Sequence, residues 1–367
     1  MKGKILCSCN TPLQLLNMVN IIENELPGYL VDVCITDKIT NAQTLCENLR
    51  NSNHFNNVLF VKTDRFVKYG GFHNTFPSRV TATLFYKHKI KKFIPEFSYD
   101  YDYFLFGNFE SFSNLISLNL PKAKLLWVED GLASYRTQGM YWILKPRGIK
   151  AFFKHVFRID YIYNHVYAQY LYRPDLAEFN IPFLRKQLPF LKNNPENIFS
   201  KIYGFSEEEE IKEKVIYFDM PFEKDGIPTN DKHILEIIAN IVGKDNLIVK
   251  IHPRNSPQYY IENGYKIVKK TYIPWEVYCM SSTELNKKIL ISGWSGATIS
   301  PYLYFNNKDV KSIILQDILD STSFSGQCIE GLKHQKEHIF IPSNAFYIPQ
   351  TEDELISNLN DLIENGK

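Results

Sequence analysis

Short apolar runs of strand length alternate with helical stretches along most of the chain, and this alternation constrains the fold more than any other feature of the sequence. Strands that alternate with helices form parallel sheets whose faces are covered by those helices. We therefore expect an α/β protein. The predicted strands are Lys4–Cys9, Tyr29–Thr36, Val58–Val61, Tyr103–Phe106 and Lys124–Val128, followed after a polar stretch by Val215–Phe218, Leu247–Ile251, Ile289–Ile291 and Ser312–Leu315.

The polar stretch at about residues 193–210 divides the chain into two predicted domains. Residues 1–195 form the first domain, residues 210–345 form the second, and residues 346–367 end the chain as a helix. Because the alternation repeats on both sides, we predict two Rossmann-like, doubly wound domains that face one another across a cleft. Ligands of such sheets bind at the carboxyl ends of the strands, so residues directly after each strand are the functional candidates.

Capping signals mark the start of two predicted helices. Thr11 can cap the helix that follows the first strand, and Gln14, three residues later, completes a capping box. Thr351 and Glu354 form the same pattern ahead of the C-terminal helix. We expect Asn10, Thr11 and Gln14, at the end of the first strand, to line the cleft.

Composition excludes several classes of protein. The chain has 367 residues, and 42 Lys and Arg nearly balance 40 Asp and Glu, so no global field indicates nucleic-acid binding. No apolar run reaches the roughly 18 to 20 residues that a membrane-spanning helix needs, and the first residues resemble a strand and not a signal peptide. The 6 cysteines are scattered without zinc-binding spacing. We expect a cytoplasmic protein with a reduced interior and no structural metal.

Two adjacent carboxylates, Glu129 and Asp130, precede Gly131 directly after the strand Lys124–Val128. Neighbouring side chains at a strand end cannot both project the same way, so one can face the cleft while the other orients its surroundings. Partial burial and like charge raise a carboxyl pKa toward the range of a general base. A solvated Asp-Gly turn is the alternative interpretation.

Asp225 is a second carboxylate candidate, since it precedes Gly226 in the loop after the strand Val215–Phe218. A loop at that end of the sheet opens onto the predicted cleft, where a carboxylate can act on a bound substrate. An ordinary surface turn is again the alternative.

Basic side chains follow the strand Leu247–Ile251. Pro253 ends this strand and holds His252 at the sheet edge between Lys250 and Arg254. A histidine beside two cations can hydrogen-bond a phosphate and give it a proton. A strand end with a surface histidine is the alternative.

A turn rich in glycine and hydroxyl groups follows the strand Ile289–Ile291. Small residues allow a phosphate to approach the backbone N–H groups of the next helix, and hydroxyls add donors. The turn lacks the lysine of a P-loop and the GxGxxG pattern, which disfavours ATP and NAD. Glu276 begins another helix, where it can bind ribose hydroxyls or simply favour the helix dipole. The candidates of the turn are Ser292, Gly293, Ser295, Gly296 and Thr298.

Taken in order, these motifs resemble those of the bacterial sialyltransferases, and most closely glycosyltransferase family 52, which includes lipooligosaccharide and capsule sialyltransferases. Enzymes of that group share an (Asp/Glu)-(Asp/Glu)-Gly motif, a His-Pro motif and a later Ser-Ser or Ser-Thr motif. The similar positions here are Glu129-Asp130-Gly131, His252-Pro253 and Ser295, together with the opening turn Cys9–Leu16. Gly296 stands where the group has its second hydroxyl, which leaves Ser292 or Thr298 to supply that contact.

The resemblance implies a GT-B-like fold and an inverting, metal-independent transfer of sialic acid from CMP-sialic acid to a galactose-terminated surface glycan, such as lipooligosaccharide or capsule. Asp130 or Asp225 would take the proton of the acceptor hydroxyl, and the choice between them stays open. His252 would assist the departing CMP phosphate. Lys250 and Arg254, together with His252, would offset the charge of the donor, and Pro253 would lie beside it. The other donor contacts would come from Ser292, Gly293, Ser295, Gly296 and Thr298 for the phosphate, and from Glu276 for the ribose. Asn10, Thr11 and Gln14 would line the acceptor side.

Two other functions stay open. One is another nucleotide-sugar glycosyltransferase of the same fold. The other is a non-catalytic carbohydrate- or membrane-binding protein, because residues 61–92 and 141–173 combine basic and aromatic side chains that suit an anionic membrane surface. Basic helices that simply cover the first domain would have the same sequence. Peripheral membrane contact and pairing into a homodimer are both compatible with the sequence.

Overall fold

A computed structural model describes residues 2–63, 80, 83–135, 148–177, 181–192, 194, 197–320, 333, 336–340 and 343–364. The chain forms two compact units, Met1–Pro189 and Phe190–Lys367. Each unit is an α/β domain built on a parallel sheet.

The first unit contains a parallel sheet in which β1 lies at the centre. Its spatial order is β3-β2-β1-β4-β5-β6-β7, as in a doubly wound Rossmann-type sheet. Continuous apolar runs form the central strands because helices cover both faces; Ile5 and Leu6 of β1, for example, are fully buried. The strands are β1 (Lys4–Cys9), β2 (Leu30–Thr36), β3 (Asn57–Val61), β4 (Tyr103–Phe106), β5 (Lys124–Val128), β6 (Val166–Leu171) and β7 (Leu184–Gln187).

Helices of the first unit pack beside this sheet. One of them, α4 (Ser111–Asn119), packs against the aromatic core formed around Phe104, Phe106 and Trp127. The helices described are α1 (Pro12–Glu25), α2 (Ala42–Asn51), α3 (Tyr86–Phe93), α4 (Ser111–Asn119), α5 (Ile149–Val156) and α6 (Tyr161–Asn164), with 3₁₀ turns at Leu132–Tyr135 and Pro174–Leu176.

The second unit repeats the same topology. Its parallel sheet has the order β10-β9-β8-β11-β12-β13, so that the first strand of the unit, β8, again lies inside the sheet. The strands are β8 (Val215–Phe218), β9 (Leu247–Lys250), β10 (Lys266–Ile267), β11 (Ile289–Ser292), β12 (Lys311–Ile314) and β13 (Phe346–Tyr347).

The helices of the second unit include the long α8, which packs on the C-terminal helix α12. They are α7 (Ile198–Tyr203), α8 (Asp231–Val242), α9 (Gln258–Glu262), α10 (Trp275–Ser281), α11 (Gly296–Phe305) and α12 (Glu352–Glu364). Shorter helical turns lie at Glu207–Glu209, Lys244–Asn246, Leu285–Lys287 and Lys336–Phe340.

Both predicted helix caps are confirmed. The Thr11 hydroxyl accepts a hydrogen bond from the backbone N–H of Gln14 at 3.2 Å, and Thr351 does the same for Glu354 at 3.2 Å. In each case the longer side chain reaches back one residue beyond the cap: Gln14 accepts from the N–H of Asn10, and Glu354 from that of Gln350. These bonds satisfy N–H groups that a helix start would otherwise leave open.

The boundary between the two units lies earlier in the sequence than the predicted one. Residues after Pro189 already belong to the second unit, because the N–H of Leu191 donates to the carbonyl of Tyr304 and that of Asn194 to the carbonyl of Met280. The C-terminal helix, which we predicted as a separate segment, adds Leu355 and Leu359 to the core of the second unit.

Four strands were not predicted. Two of them, β10 and β13, have only two residues each, and β7 consists of Leu-Arg-Lys-Gln, which lacks an apolar run. The fourth, β6, lies within the basic and aromatic stretch that we interpreted as a surface feature. Along the described residues, no helix is both long and apolar enough to cross a membrane.

Five cysteines are buried free thiols, namely Cys7, Cys9, Cys34, Cys46 and Cys279. The sixth, Cys328, lies outside the described residues.

Candidate active site

Polar side chains of the first unit gather where β1, β4 and β5 end. These strands are neighbours in the sheet, with Ser8 of β1 opposite Phe106 of β4, and Phe106 opposite Trp127 of β5. Because the strands are parallel, Asn10, Glu110 and Glu129 follow them at the same edge. The arrangement brings together residues that are more than 100 positions apart in sequence.

Glu129 is fully buried at the end of β5. Its Oε2 accepts hydrogen bonds from the hydroxyl of Tyr135 at 2.7 Å and from the backbone N–H of Tyr172 at 2.8 Å, while Oε1 has no partner among the described residues. Burial raises the pKa of Glu129 to about 8, against the opposing effect of these two bonds. The group is therefore largely protonated at neutral pH, and it joins β5 to the segment after β6.

Asp130 is partly exposed beside this buried acid. Its Oδ1 accepts a hydrogen bond from the hydroxyl of Thr11 at 2.8 Å, and its backbone N–H donates to the hydroxyl of Ser134 at 2.8 Å. Oδ2 has no hydrogen-bond partner in the described part of the chain. Gly131, which follows, has a φ of 77° that disfavours any residue with a Cβ. The turn thus fixes the carboxylate by one oxygen and leaves the other available.

Asn10 and Gln14 form the floor next to Asp130. Gln14 is fully buried and packs so closely on Gly107 that a Cβ there would lie 2.3 Å from its side chain. The side-chain carbonyl of Asn10 accepts from the hydroxyl of Thr36 at 2.8 Å, and its amide donates to Glu110. Both residues are thus structural supports of the strand ends, and of the three acceptor-side candidates Thr11 is the one bonded to Asp130.

Asn17 and Tyr172, which the sequence did not indicate as candidates, complete this cluster. The amide of Asn17 donates to the backbone carbonyl of Glu129 at 3.0 Å, and its carbonyl accepts from the hydroxyl of Tyr172 at 2.7 Å. Both side chains are buried. A polar residue inside the apolar stripe of α1 was the available signal for Asn17.

In the second unit, Asp219 is the centre of the loop structure after β8. It is buried, and its carboxylate accepts from the hydroxyl of Tyr260 at 2.6 Å, the amide of Asn255 at 2.6 Å and the backbone N–H of His252 at 3.3 Å. The hydroxyl of Tyr260 also accepts from Lys232 at 2.6 Å. Asp219 therefore links the ends of β8 and β9, and it was not among our candidates.

His252 is half-buried after β9, and its ring orientation is fixed by the backbone. The N–H of Arg254 donates to Nδ1 at 3.2 Å, so in the neutral ring Nε2 carries the proton. Burial, followed by the nearby Arg254 cation, lowers the pKa of His252 below its usual value. The neutral ring thus offers an N–H donor at Nε2, while Pro253 lies exposed at the turn.

Arg254 and Asp225 bind each other. The guanidinium donates from its two terminal nitrogens to the two carboxylate oxygens of Asp225, at 2.6 and 3.0 Å. Both side chains are exposed, so solvent screens the pair and it contributes little to stability. The pairing occupies both oxygens of Asp225.

The Lys250 side chain has different partners from those of His252 and Arg254. Its ammonium donates to the carbonyl of Ile273 at 3.0 Å and lies 5.3 Å from the ring centre of Tyr278. Burial lowers the pKa of Lys250 to about 8, and the neighbouring Glu276 opposes that effect. Burial also raises the pKa of Glu276, whose carboxylate accepts from the hydroxyl of Ser300 at 3.1 Å. Lys250, Glu276 and Ser300 form one cluster that joins the start of α10 to the second turn of α11.

The turn after β11 is held by its own hydroxyls. Ser292 accepts from the backbone N–H of Ser295 at 2.8 Å, and Ser295 caps α11 by accepting from the N–H of Ala297 at 3.2 Å. The hydroxyl of Thr298 donates to the carbonyl of Ser295 at 2.7 Å. Ser292 and Thr298 are buried, so Ser295 is the hydroxyl of this turn that solvent reaches.

The two glycines of this turn differ in what surrounds them. A Cβ on Gly293 would lie 3.0 Å from Leu319 and 3.2 Å from Phe222, whereas a Cβ on Gly296 would meet nothing within 4 Å. Gly293 is therefore tightly packed against these two side chains. Gly296 leaves open space at the first residue of α11.

A cavity of about 430 Å³ opens beside the loop after β8. Its lining includes Met220, Phe222, Gly226, Thr229, Lys232 and Asn255. The cavity adjoins the Asp219 network through Asn255, and none of the predicted donor-binding residues lines it. Among the described residues, no group of three or more His, Cys, Asp and Glu side chains is placed to hold a metal ion.

Comparisons with known proteins indicate the family and the fold of the chain. A family model described as alpha-2,8-polysialyltransferase (POLYST) matches residues 5–313. The structure is similar to Arabidopsis thaliana UGT89C1 complexed with UDP-L-rhamnose, at 12% identity and a TM-score of 0.50, covering 100% of this chain and 93% of that one. It is also similar to UDP-GlcNAc 2-epimerase from Methanocaldococcus jannaschii, at 13% identity and a TM-score of 0.51, covering 99% and 92%.

At such low identity these two likenesses concern the fold alone, and they confirm the predicted GT-B-like architecture of two Rossmann-like domains. A search of curated protein sequences found no match.

Proposed function

Because the chain belongs to the alpha-2,8-polysialyltransferase family, we propose that it transfers sialic acid from CMP-sialic acid to a hydroxyl of a surface glycan, with inversion and without a metal ion. The family and the fold together make it a nucleotide-sugar glycosyltransferase. The single observation that carries the mechanism is the half-anchored carboxylate of Asp130, which has one oxygen bound to Thr11 and the other available.

Asp130 is the general base of this reaction. A base needs an oxygen within hydrogen-bond reach of the proton that it removes. Oδ2 meets that need, because Thr11 holds only Oδ1 and the side chain is partly exposed. Asp225, the other candidate, has both oxygens engaged by Arg254, which makes it the weaker choice.

The buried acid next to it has a supporting role. Glu129 has no exposed surface, so it cannot contact a substrate in this conformation. Its bonds to Tyr135 and to the backbone of Tyr172 fix the strand end from which Asp130 projects. Glu129 is therefore a positioning residue.

His252 supports the leaving group. As the acceptor oxygen bonds to the anomeric carbon, the bond from that carbon to the phosphate oxygen breaks, and its electron pair stays on CMP. The acceptor proton passes to Asp130. The N–H at Nε2 of His252 donates to the departing phosphate and stabilises the charge that develops there.

The remaining donor contacts come from three places in the second unit. The Ser295 hydroxyl and the start of α11 at Gly296 suit the phosphate, because the helix begins there with open space. Glu276, next to Lys250, suits the ribose hydroxyls. Arg254 uses two of its N–H groups on Asp225, and its remaining N–H groups suit the charge of the donor.

Two similarities bear on the identity of the acceptor, and they favour different terminal sugars. The resemblance to lipooligosaccharide and capsule enzymes predicts a terminal galactose, whereas the description of the matched family favours an acceptor that itself ends in sialic acid. Both acceptors present a secondary or primary hydroxyl to the same base, so the proposed chemistry is common to them.

Incubation of the purified protein with CMP-sialic acid in EDTA tests the proposal. Lactose and sialyllactose serve as parallel acceptors, and CMP release and the sialylated product are measured together. We expect both to appear with at least one acceptor. CMP-sialic acid that stays intact with both acceptors would overturn the proposal.

A thermal-shift titration separates this donor from those of other nucleotide-sugar transferases. CMP and CDP should raise the melting temperature because they bind the folded state, while UDP and GDP should not. Stabilisation by UDP and not by CMP would assign a different donor.

A further inference from the structure

An apolar face of α5 lies open to solvent in the first unit. Ile149, Phe152, Phe153 and Val156 are between 44% and 76% exposed, although large apolar side chains normally pack inside. Their spacing of three, four and seven residues places them along one side of the helix. No acidic residue occurs within this helix.

Two further exposed apolar residues precede the basic helix α3 of the same unit. Leu84 and Phe85 are 61% and 58% exposed just ahead of α3. The exposed cations of α3 include Lys87, Lys91 and Lys92, and this helix also contains no acidic residue.

Helix α4 contacts both of these segments. The Asn114 amide donates to the carbonyl of Arg158, in the turn after α5, at 3.4 Å, and its carbonyl accepts from the N–H of Ile162 at 3.0 Å. Asn119, little more than one turn further along α4, donates to the carbonyl of Tyr86 at 3.3 Å. Helix α4 thus binds both the start of α3 and the turn after α5, and we call the exposed residues of α3 and α5, with Leu84 and Phe85, the α3–α5 face.

We propose that the α3–α5 face binds the surface of an anionic phospholipid bilayer, with α5 lying in the plane of the interface. An apolar strip flanked by cations is the arrangement of a helix that lies on a membrane, where side chains enter the acyl boundary and cations meet the headgroups. The six exposed apolar side chains favour a bilayer over a soluble polyanion such as a polysialic acid chain, which needs cations alone.

A second copy of the chain fits this face less well. A symmetric dimer through the face would bring its own lysines opposite one another. Because Lys87, Lys91 and Lys92 are exposed without acidic neighbours on their helix, such a contact would be repulsive. Charge complementarity therefore points to an anionic partner.

Helix α6, which follows α5 in the chain, contacts the segment that leads into the candidate site of the same unit. The hydroxyl of Tyr163, in α6, donates to the carbonyl of Phe109 at 3.2 Å, and the two rings stack at 4.5 Å. Phe109 precedes Glu110, which accepts from Asn10 at the strand end next to Asp130. The inference does not depend on the proposed activity.

Co-sedimentation of the full chain with vesicles tests the proposal. Vesicles of phosphatidylcholine alone are compared with vesicles of phosphatidylcholine and phosphatidylglycerol in equal parts, at low and high salt. We expect binding to the anionic vesicles, weakened by salt because salt screens the cations. Equal binding to neutral vesicles, or none to anionic vesicles at low salt, would overturn the proposal.

Two double variants separate the apolar contribution from the charge. Ile149→Ser with Phe152→Ser should weaken vesicle binding by roughly tenfold for each residue that loses its apolar burial. Lys91→Gln with Lys92→Gln should weaken it by about fivefold for each lysine. All four side chains are exposed, so the variants should fold, which near-UV circular dichroism verifies.

Matched controls come from the second unit. Ile261→Ser with Tyr272→Ser removes two exposed apolar side chains, and Lys244→Gln with Lys308→Gln removes two exposed lysines. Neither should change vesicle binding. If the lysine variant loses binding to polysialic acid while Ile149→Ser with Phe152→Ser keeps full vesicle binding, the face is a polyanion site and the bilayer proposal is wrong.

Discussion

The buried carboxyl of Glu129 should make the stability of the protein depend on pH. This carboxyl is fully buried, has a single bonded oxygen, and has a pKa raised by burial to about 8 from 4.5. In the unfolded chain the same group ionises near pH 4.5. Between these two values the folded state therefore holds a proton that the unfolded state has lost.

The sign and size of the effect follow from this difference. The free energy of unfolding falls as the pH rises wherever the folded state binds more protons than the unfolded state. The contribution of Glu129 is thus fully present below pH 4.5 and is lost as the pH rises to about 8. At about 1.4 kcal/mol for each pH unit, the total loss is about 5 kcal/mol.

Glu129→Gln removes this titration while keeping the shape of the protonated acid. The amide oxygen can still accept from Tyr135 and from the N–H of Tyr172, and the amide nitrogen takes the place of Oε1, which has no partner among the described residues. Relative to the wild type, the variant should therefore gain stability steadily from pH 5 to pH 8.

Urea unfolding of both proteins at several pH values measures the difference directly. Between pH 5 and pH 8, we expect the free energies of unfolding of the wild type and of Glu129→Gln to diverge by several kcal/mol. Parallel curves would show that Glu129 does not titrate with a raised pKa, and would refute the view that burial keeps it protonated.

Three other substitutions have defined outcomes. Asp219→Asn places an amide against donors from Tyr260 and Asn255, and should lower the free energy of unfolding in urea by about 2–4 kcal/mol; a loss below about 1 kcal/mol would contradict the network. Gly293→Ala should lower thermal stability by about 1–3 kcal/mol through overpacking. Gly296→Ala should raise it slightly, because its Cβ meets nothing, and the reverse order would refute the packing argument. Thr11→Val should lower kcat by about tenfold and stability by about 1 kcal/mol, since it removes the donor to Asp130 and the helix cap; Thr11→Ser should restore both, and equal kcat values for the two variants would exclude the positioning role.

The fold could be predicted from the sequence wherever local signals sufficed. The apolar run Lys4–Cys9 and the cap at Thr11 are properties of a few consecutive residues, and both lie where they were expected. The strand Leu184–Gln187 could not be found this way, because its residues are polar and its pairing with β6 depends on the rest of the sheet.

The site was predictable in part for the same reason. The sequence placed Asp130 and His252 at strand ends, but it carried no sign that Asp225 is paired with Arg254, 29 residues away. The role of Asp219 was hidden in the same way, since its partner Tyr260 lies on a different element 41 residues further along. Long-range pairs of this kind are set by packing and leave no local pattern.

The side-by-side kcat values of Asp130→Asn and Asp225→Asn, with CMP-sialic acid as donor, test the central claim most directly. Asparagine keeps the shape of aspartate and cannot accept a proton as a base. Asp130→Asn should lower kcat by about 10²–10⁴, while Asp225→Asn, which only frees Arg254, should change kcat by less than about tenfold. A large loss in Asp225→Asn with near-normal turnover in Asp130→Asn would contradict the account and move the base to the second unit.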